Sequence, residues 1–256
     1  NPLLIAIVAG EVSGDILGAG LIRQLRLYYP DATFVGLGGE HMEAQGLNSL
    51  GDMELLSVMG LIEPLKRLPQ LLALRKKLYH HFIGAKPAVF IGIDSPDFNL
   101  PLAQKMKRAG VLSCQYVCPS VWAWRQGRVN TIRRSVDHVL TLLPFEQQFL
   151  TRHQIDATFV GHPLADHLST SAASNRDHHG EDDDLLASLH PLQRRDKLVC
   201  VMPGSRLAEV DHLLPVFIPA MRLLSESMPS IKFVIPAASD KLYAHIEAGL
   251  AEAELG

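Results

Sequence analysis

The chain has 256 residues and a formal net charge of -3, and 47% of its residues are hydrophobic against 20% charged. This balance is that of an ordinary globular protein and excludes the basic excess typical of nucleic-acid binding, so we expect no nucleic-acid partner. The length favours one complete domain and part of a second.

The three cysteines are Cys114, Cys118 and Cys200. They form neither a CxxC pair nor an even disulfide framework. We therefore expect buried, unreactive thiols in a reducing cytoplasm.

The amino-terminal run LLIAIVAG has no basic flank and leads directly into a turn. This pattern favours a core strand over a signal peptide, so no export is predicted.

Short, almost continuously apolar runs alternate with amphipathic segments over the first 165 residues. That alternation predicts an α/β fold, a parallel sheet covered by helices on both faces. The predicted strands are LLIAIVA, TFVGL, AVFIGI, LSCQYV, HVLTLL and ATFVG, and the predicted helices cover residues 14–28, 39–47, 97–109 and 145–153.

The domain organisation follows from where this pattern stops and restarts. We predict a Rossmann-like domain over 1–167, a polar linker over 168–196 and the beginning of a second such domain over 197–256. The stretch 169–184 within the linker resembles a local insertion. Two predicted strands are too few for an independent sheet, so we expect the rest of the second domain to lie outside this chain.

The first motif is VAGEVSGD at residues 8–15, between the first strand and the first helix. It matches neither GxGxxG nor a Walker A loop. One interpretation is a plain helix start, with Ser13 as the cap and Asp15 in the first turn. The other is that Glu11, Ser13 and Asp15 accept hydrogen bonds from sugar hydroxyls at the ligand-binding edge of the sheet.

The second motif is IGIDSPDFN at residues 91–99. Ser95 as a cap, Pro96 at the first helical position and Asp97 near the helix amides explain the helix start. Asp94 remains, at the same sheet edge as Glu11. It is either a general base for a hydroxyl or a partner of the neighbouring loop amides.

The third motif is VMPGSRLAEV at residues 201–210. Gly204 permits a close backbone approach, the amides of Ser205 and Arg206 open a helix, and the Arg206 guanidinium can pair with phosphate. Glu209 misses capping-box spacing from Ser205 by one residue. An anion site and a plain helix cap with an exposed arginine both remain open.

The fourth motif, PSVWAWRQGR, contains both tryptophans of the chain, Trp122 and Trp124, close to Arg125 and Arg128. Such groups suit ring stacking and phosphate pairing, although a core position for at least one tryptophan is also consistent with the sequence.

Residues 55–74 are rich in leucine but interrupted by charges and prolines, so they cannot form a membrane span. Leu61, Leu65, Leu68 and Leu72 have helical spacing, which fits either a core helix or a lipid-facing patch. The remaining apolar candidates for that patch are Val58, Met59 and Ile62, and the candidate cationic rim is Lys66, Arg67, Arg75, Lys76 and Lys77.

Potential metal ligands are present but poorly arranged. Asp182 and Asp184 lie in the polar linker, and the pairs His80–His81 and His178–His179 lack the spacing of zinc ligands on a helix. His162 lies in a GHP turn near the expected cleft between the domains. No metal or other cofactor is predicted.

Taken together, VAGEVSGD, FIGIDSPDFN, PSVWAWRQGRV, LLPFE, VGHP and VMPGSRLAEV occur in an order that resembles the lipid-A-disaccharide synthase family. The resemblance covers nearly the whole chain. It implies an inverting glycosyltransferase of the GT-B architecture, built from two Rossmann-like domains and active in Gram-negative lipid A (lipopolysaccharide) biosynthesis.

The resemblance also implies substrates and roles. UDP-2,3-diacylglucosamine would transfer its sugar to 2,3-diacylglucosamine 1-phosphate without a metal, giving a β(1→6) disaccharide 1-phosphate and UDP, in a cytoplasmic enzyme peripheral to the inner membrane. Asp94 would be the base and Arg206 would stabilise the leaving UDP. Binding residues would include Glu11, Ser13, Gly14, Asp15, Trp124, Arg125, Gly204, Ser205 and Glu209, with the leucine-rich segment on acyl chains or membrane lipids.

The family continues beyond the last residue of this chain, so its full set of donor-binding residues is not expected here. Two alternatives remain from the sequence: another GT-B sugar-nucleotide enzyme, or a non-catalytic sugar- or nucleotide-binding module. The sequence also leaves open whether the protein forms an oligomer.

Overall fold

The computed structural model describes residues 3–56, 63–123, 126–166 and 197–253. The chain divides into two compact units, residues 1–170 and 171–256.

The first unit contains a seven-stranded sheet in the order β3-β2-β1-β4-β5-β6-β7, with every neighbouring pair parallel. The order runs outward in both directions from β1 and β4, so the chain reverses its direction of winding between these two strands. In sheets of this kind, ligands bind beyond the carboxyl ends of the strands at that point. The strands are β1 (Leu4–Ala9), β2 (Thr33–Leu37), β3 (Leu47–Ser49), β4 (Val89–Ile93), β5 (Leu112–Tyr116), β6 (His138–Thr141) and β7 (Ala157–Phe159).

Six helices join these strands in the described part of this unit. They are α1 (Val12–Tyr28), α2 (Glu40–Ala44), α3 (Glu63–Ala85), α4 (Pro96–Arg108), α5 (Val129–Ser135) and α6 (Pro144–Arg152). Short 3₁₀ turns occur at Met53–Leu55 and Gln126–Arg128.

Alternate residues of the central strands fill two separate hydrophobic cores. On β1, Ile5 and Ile7 belong to one core, whereas Ala6 and Val8 belong to the other. Successive side chains of a strand point to opposite faces, so a strand covered on both sides must be apolar throughout. This explains the continuous run LLIAIVA and confirms that it forms a core strand.

Where the structure describes it, from 197 to 253, the second unit has two parallel strands, β8 (Lys197–Cys200) and β9 (Ile231–Val234), and two helices, α7 (Leu207–Ser227) and α8 (Asp240–Glu252). Val210 and Leu214 on α7 pack with Leu242 and Ile246 on α8. The strand-turn-helix pattern predicted from Lys197 onward is therefore present.

Some sequence-based boundaries were wrong. The helix predicted over 39–47 ends at Ala44, and Leu47–Ser49 forms the edge strand β3 instead. Helix α3, for which no end was predicted, extends past the leucine-rich segment to Ala85, and its Leu74, Leu78 and Phe82 are buried at helical spacing.

The prediction of buried thiols is confirmed for Cys118, met in part by Cys114 and wrong for Cys200. Cys118 is buried and Cys114 is half-buried, and burial raises the pKa of each to about 12, so both stay protonated at neutral pH. Cys200 is exposed, which corrects the expectation that all three thiols are buried. It lies on β8, whose residues are largely accessible in this unit.

Candidate active site

The loops that follow β1, β4 and β5 meet at the carboxyl edge of the sheet in the first unit. Parallel register places Ala9 beside Ile93 and Ile93 beside Tyr116, so these strands end level with one another. A side chain at Gly10 would overlap Ser95, which shows that the loops after β1 and β4 are in contact. The sequence prediction that Glu11 and Asp94 follow strands ending at one edge is consistent with this arrangement.

Three residues at this edge have left-handed backbone conformations that side chains disfavour. Asp94 has a φ of 50°, Ser95 of 40° and Val117 of 75°. Each such residue costs on the order of 1–3 kcal/mol and persists only where its surroundings enforce it. Strain of this kind concentrated at one sheet edge is typical of a functional site.

The Asp94 carboxyl is half-buried, and burial raises its pKa above the ordinary value for aspartate. A hydrogen bond from the Ser95 backbone has a smaller, opposing effect. Because desolvation disfavours the charged form, this carboxylate has a greater affinity for a proton than an exposed one. That property suits a general base.

Ser95 occupies the predicted N-cap position of α4, and Pro96 the first helical position. The Ser95 hydroxyl makes no capping hydrogen bond within the described residues, which corrects its predicted role as a cap, and the Ser95 carbonyl accepts the first intrahelical bonds, from the Phe98 and Asn99 amides at 3.0 and 2.9 Å. Asp97 is exposed and forms an ion pair with Arg128.

The loop after β1 differs from its predicted geometry. Helix α1 begins at Val12, so Glu11 is the N-cap residue and Ser13 lies inside the helix, which corrects the prediction that Ser13 caps it. The Ser13 hydroxyl donates a hydrogen bond to Glu11 Oε1 at 2.9 Å. Gly14 is buried and would place a Cβ 3.5 Å from Ala9 and 3.6 Å from Ile93. Ser13 is exposed and Glu11 half-buried at this edge.

Asp15 has a separate structural role. It is 2% exposed, and its carboxylate accepts hydrogen bonds from the amides of Gly39, His41 and Met42 at 2.8–3.0 Å. These amides open α2, so Asp15 on α1 caps a neighbouring helix. The structure does not bring Asp15 together with Glu11 and Ser13 as one polar surface.

The tryptophan motif is only partly described. Trp122 donates a hydrogen bond from Nε1 to Glu146 Oε1 at 3.1 Å, and its ring meets that of Phe145 edge-on at 4.8 Å. Glu146 is buried, and its Oε2 accepts the Leu143 amide at 3.1 Å. This acid of the LLPFE motif, which the sequence analysis did not single out, thus joins Trp122 to the start of α6. Trp124 and Arg125 lie outside the described residues.

The turn before α7 in the second unit binds a carboxylate of its own chain, that of Glu209. The amides of Ser205 and Arg206 donate to Glu209 Oε2 at 2.9 and 3.2 Å, and Arg206 Nη1 lies 3.2 Å from Glu209 Oε1. Gly204, at a φ of 128°, precedes this group. The N-cap residue is Arg206, one residue later than assumed from the sequence, so Glu209 does stand at the third helical position of a capping box.

The leucine-rich segment is mixed where its side chains are described: Leu74 is buried and Leu71 half-buried, whereas two leucines of the predicted stripe are exposed. Leu68 and Leu72 on α3 are 43% and 48% exposed, so these two are not core residues. Of the predicted rim, Arg75 lies over the Phe98 ring and Lys77 donates to the Leu50 carbonyl. Val58, Met59, Leu61 and Ile62 fall outside the described residues, as do the side chains of Leu65, Lys66 and Arg67.

None of the helices in the described part of the chain combines the length and apolarity needed to cross a bilayer. The described residues also contain no group of three or more His, Cys, Asp or Glu side chains placed to hold a metal ion. The His162 ring accepts the Leu164 amide at 3.1 Å, within a turn. Asp182, Asp184 and the pair His178–His179 lie outside the described residues.

Comparison with solved structures identifies the class of fold. A putative UDP-N-acetylglucosamine 2-epimerase from Listeria monocytogenes matches with a TM-score of 0.62 at 13% identity, over 100% of this chain and 67% of the other. A Neisseria meningitidis UDP-GlcNAc 2-epimerase matches with a TM-score of 0.61 at 11% identity, over 98% of this chain and 70% of the other. With the parallel sheet, these matches confirm the predicted α/β fold of the GT-B type.

Sequence relatives then define the family. A profile of the lipid-A-disaccharide synthetase family matches residues 5–255. Lipid-A-disaccharide synthases from Hahella chejuensis and Alcanivorax borkumensis are 45% and 49% identical, over 96% and 92% of this chain. The chain belongs to this family and spans about 60% of the length of these two relatives, 60% and 59% respectively.

Proposed function

We propose that the chain is part of a glycosyltransferase that joins UDP-2,3-diacylglucosamine to 2,3-diacylglucosamine 1-phosphate. The products are the β(1→6)-linked disaccharide 1-phosphate and UDP. Membership of the lipid-A-disaccharide synthetase family supports the reaction. The strained, half-buried Asp94 at the carboxyl edge of the sheet is the structural observation that carries it.

In this proposal Asp94 accepts the proton of the acceptor 6-hydroxyl as its oxygen attacks C1 of the donor sugar. A new bond forms between C1 and the acceptor oxygen while the bond from C1 to the UDP oxygen breaks. The configuration at C1 is inverted, and UDP leaves with the electron pair of the broken bond. Burial raises the pKa of Asp94, which favours proton uptake in the transition state. Glu11 and Ser13, hydrogen-bonded to each other at the same edge, orient sugar hydroxyls of the acceptor.

Arg206 and the amides of Ser205 and Arg206 stabilise the diphosphate of the departing UDP. Support comes from the bonds these groups make to the Glu209 carboxylate, because the same donors suit a phosphate oxygen. Donors fixed in advance are most effective where negative charge develops during reaction. Glu209 must release these groups when the diphosphate binds. Gly204 gives the phosphate access, and Trp124 and Arg125 remain predicted binding residues.

The exposed leucines of α3 contact acyl chains or the bilayer surface. Leu68 and Leu72 support this role because they are apolar, adjacent on one helix and accessible. The enzyme is thus peripheral to the cytoplasmic face of the inner membrane and needs no metal.

The reaction is tested by incubating the full-length protein with both substrates, then with each alone, and analysing extracted lipid by mass spectrometry. The disaccharide 1-phosphate should form only when both are present, with one UDP released per disaccharide. An altered UDP-sugar without acceptor would instead indicate another sugar-nucleotide enzyme. Binding of UDP with no turnover, in folded protein supplied with lipid or detergent, would indicate a binding module.

A further inference from the structure

Two buried amide side chains lie directly behind Asp94. Asn99 on α4 and Gln115 on β5 are both 0% exposed. Asn99 Nδ2 donates to the Asp94 backbone carbonyl at 2.9 Å, and Gln115 Nε2 donates to the same oxygen at 3.0 Å. A carbonyl oxygen has two lone pairs, so this pair of donors saturates it.

We propose that Asn99 and Gln115 are positioning residues that clamp the Asp94 carbonyl, hold its backbone in the left-handed turn and thereby aim its carboxylate at the acceptor hydroxyl. The proposal rests on the proposed function, in which Asp94 is the base. It assigns a role in the reaction to two residues that touch no substrate.

The choice of acceptors points to Asp94 as the centre of this arrangement. Asn99 Nδ2 also approaches the carbonyls of Val8 and Ile93, at 3.3 and 3.2 Å. Gln115 Nε2 also approaches those of Tyr116 and Val117, at 3.4 and 3.5 Å. An amide group has only two hydrogens for three acceptors, and in both cases the Asp94 oxygen is the nearest.

The Asp94 backbone needs such support. Asp94 and Ser95 are consecutive left-handed residues, which side chains disfavour unless the surroundings enforce them. The Asp94 amide donates to the Tyr116 carbonyl at 2.9 Å, so β5 holds one side of the residue. The two amide side chains hold the other side, and the direction of the carboxylate follows from the backbone between them.

The clamp has a cost to stability. Among the described residues, Asn99 Oδ1 and Gln115 Oε1 find no hydrogen-bond partner, although both are buried. Buried polar atoms without partners destabilise a fold, and apolar residues of similar shape would avoid that penalty. Gly92 makes room for the pair, because a Cβ there would lie 2.8 Å from Asn99 Cβ and 3.1 Å from Gln115 Oε1. Local rules broken in this way are expected at functional sites.

The test uses Gln115→Met in the full-length protein, because methionine keeps the length of the side chain while removing the donor and the unpartnered oxygen. We expect the variant to fold, because the lost donor and the removed unpartnered oxygen have opposing effects on stability, with a kcat lower by about 10- to 100-fold and a KM close to the wild-type value. Asn99→Ala is the second variant and should show the same loss of kcat. The matched control is Ser135→Ala on α5, which also removes a buried oxygen without a partner in the described residues and should leave kcat unchanged.

Single-turnover rates in an Asp94→Asn background separate this proposal from the proposed function. The clamp acts through the Asp94 carboxylate, so adding Gln115→Met to Asp94→Asn should cause no further loss. A full additional loss would overturn the clamp, as would a folded Gln115→Met or Asn99→Ala variant with wild-type kcat. If Asp94→Asn itself kept the wild-type rate, Asp94 would not be the base and the clamp would fail with it.

Discussion

At the scale of single residues, the central feature is a carboxyl group that the fold holds partly out of water. Burial raises the pKa of Asp94 more than the Ser95 backbone hydrogen bond lowers it. The folded chain therefore binds a proton at Asp94 more tightly than the unfolded chain does. Ionised Asp94 therefore destabilises the fold, and its proposed role as a base depends on that ionised form.

This asymmetry predicts how stability depends on pH. Between the ordinary aspartate pKa, about 3.9, and the raised native pKa, the folded chain carries more protons than the unfolded chain, so the contribution of Asp94 to the free energy of unfolding falls as pH rises. Asp94→Asn should be more stable than the wild type at neutral pH, and the difference should shrink as pH falls through that window. Urea unfolding at a series of pH values measures the difference, with Asp97→Asn, at an exposed position, as the control. A wild type more stable than Asp94→Asn at neutral pH would contradict the account.

How far single residues were predictable depends on where their partners lie. Asp94 could be placed at the end of β4 from the sequence, because a buried strand leads into it. The capping role of Glu209 was within reach, since its partners are three and four residues away. The partners of Asp15 lie 24 to 27 residues away, so no local spacing could reveal them. Asn99 and Gln115 gave no signal, because their role depends on backbone geometry.

At the scale of elements, Asp15 joins two helices by capping α2 from α1. Its carboxylate receives three backbone amides in a buried position. The same elements show the limit of local patterns. The edge strand β3 has three residues and exists because it pairs with β2, which a helix-like local sequence cannot indicate.

Removal of this cap should cost considerable stability. Asp15→Ala leaves three amides without their charged acceptor, so we expect the free energy of unfolding to fall by about 3 kcal/mol or more. Urea unfolding measures the loss, and Asp31→Ala, at an exposed position, should change stability little. Asp15→Asn keeps one oxygen that can accept a hydrogen bond, so its free energy of unfolding should lie between those of Asp15→Ala and Asp31→Ala. Its KM for the acceptor sugar should equal that of the wild type. A stable Asp15→Asn variant with a raised KM for the acceptor sugar would contradict this purely structural role. It would support the sequence-based prediction that Asp15 contacts the sugar.

At the scale of the whole molecule, the class of fold and the family were predictable because several long motifs occur in a fixed order along the chain. The surface was less predictable. A leucine stripe of helical spacing fits a core helix as well as an exposed one, and only packing decided that Leu74 and Leu78 are buried while Leu68 and Leu72 are accessible.

The exposed leucines predict membrane binding. The double variant Leu68→Ser and Leu72→Ser should lower binding of the full-length protein to vesicles of anionic phospholipid by about 10-fold or more, because each leucine contributes about 1.5–3 kcal/mol when fully buried. Cosedimentation with vesicles measures the change. Leu27→Ser on α1, which removes a leucine that is 70% exposed elsewhere, is the matched control. Equal binding by both variants would rule out this patch as the membrane contact.

The most direct measurement compares kcat for the full-length wild type, Asp94→Asn and Asp97→Asn, with disaccharide formation followed by mass spectrometry. The two substitutions make the same chemical change three residues apart, Asp94 in the loop before α4 and Asp97 in the first turn of that helix. Only Asp94 is proposed to accept the proton. The account predicts a kcat lower by about 10²- to 10⁴-fold for Asp94→Asn with a similar KM, and a value close to wild type for Asp97→Asn. Near-wild-type turnover by Asp94→Asn would contradict the central claim that this carboxylate is the base.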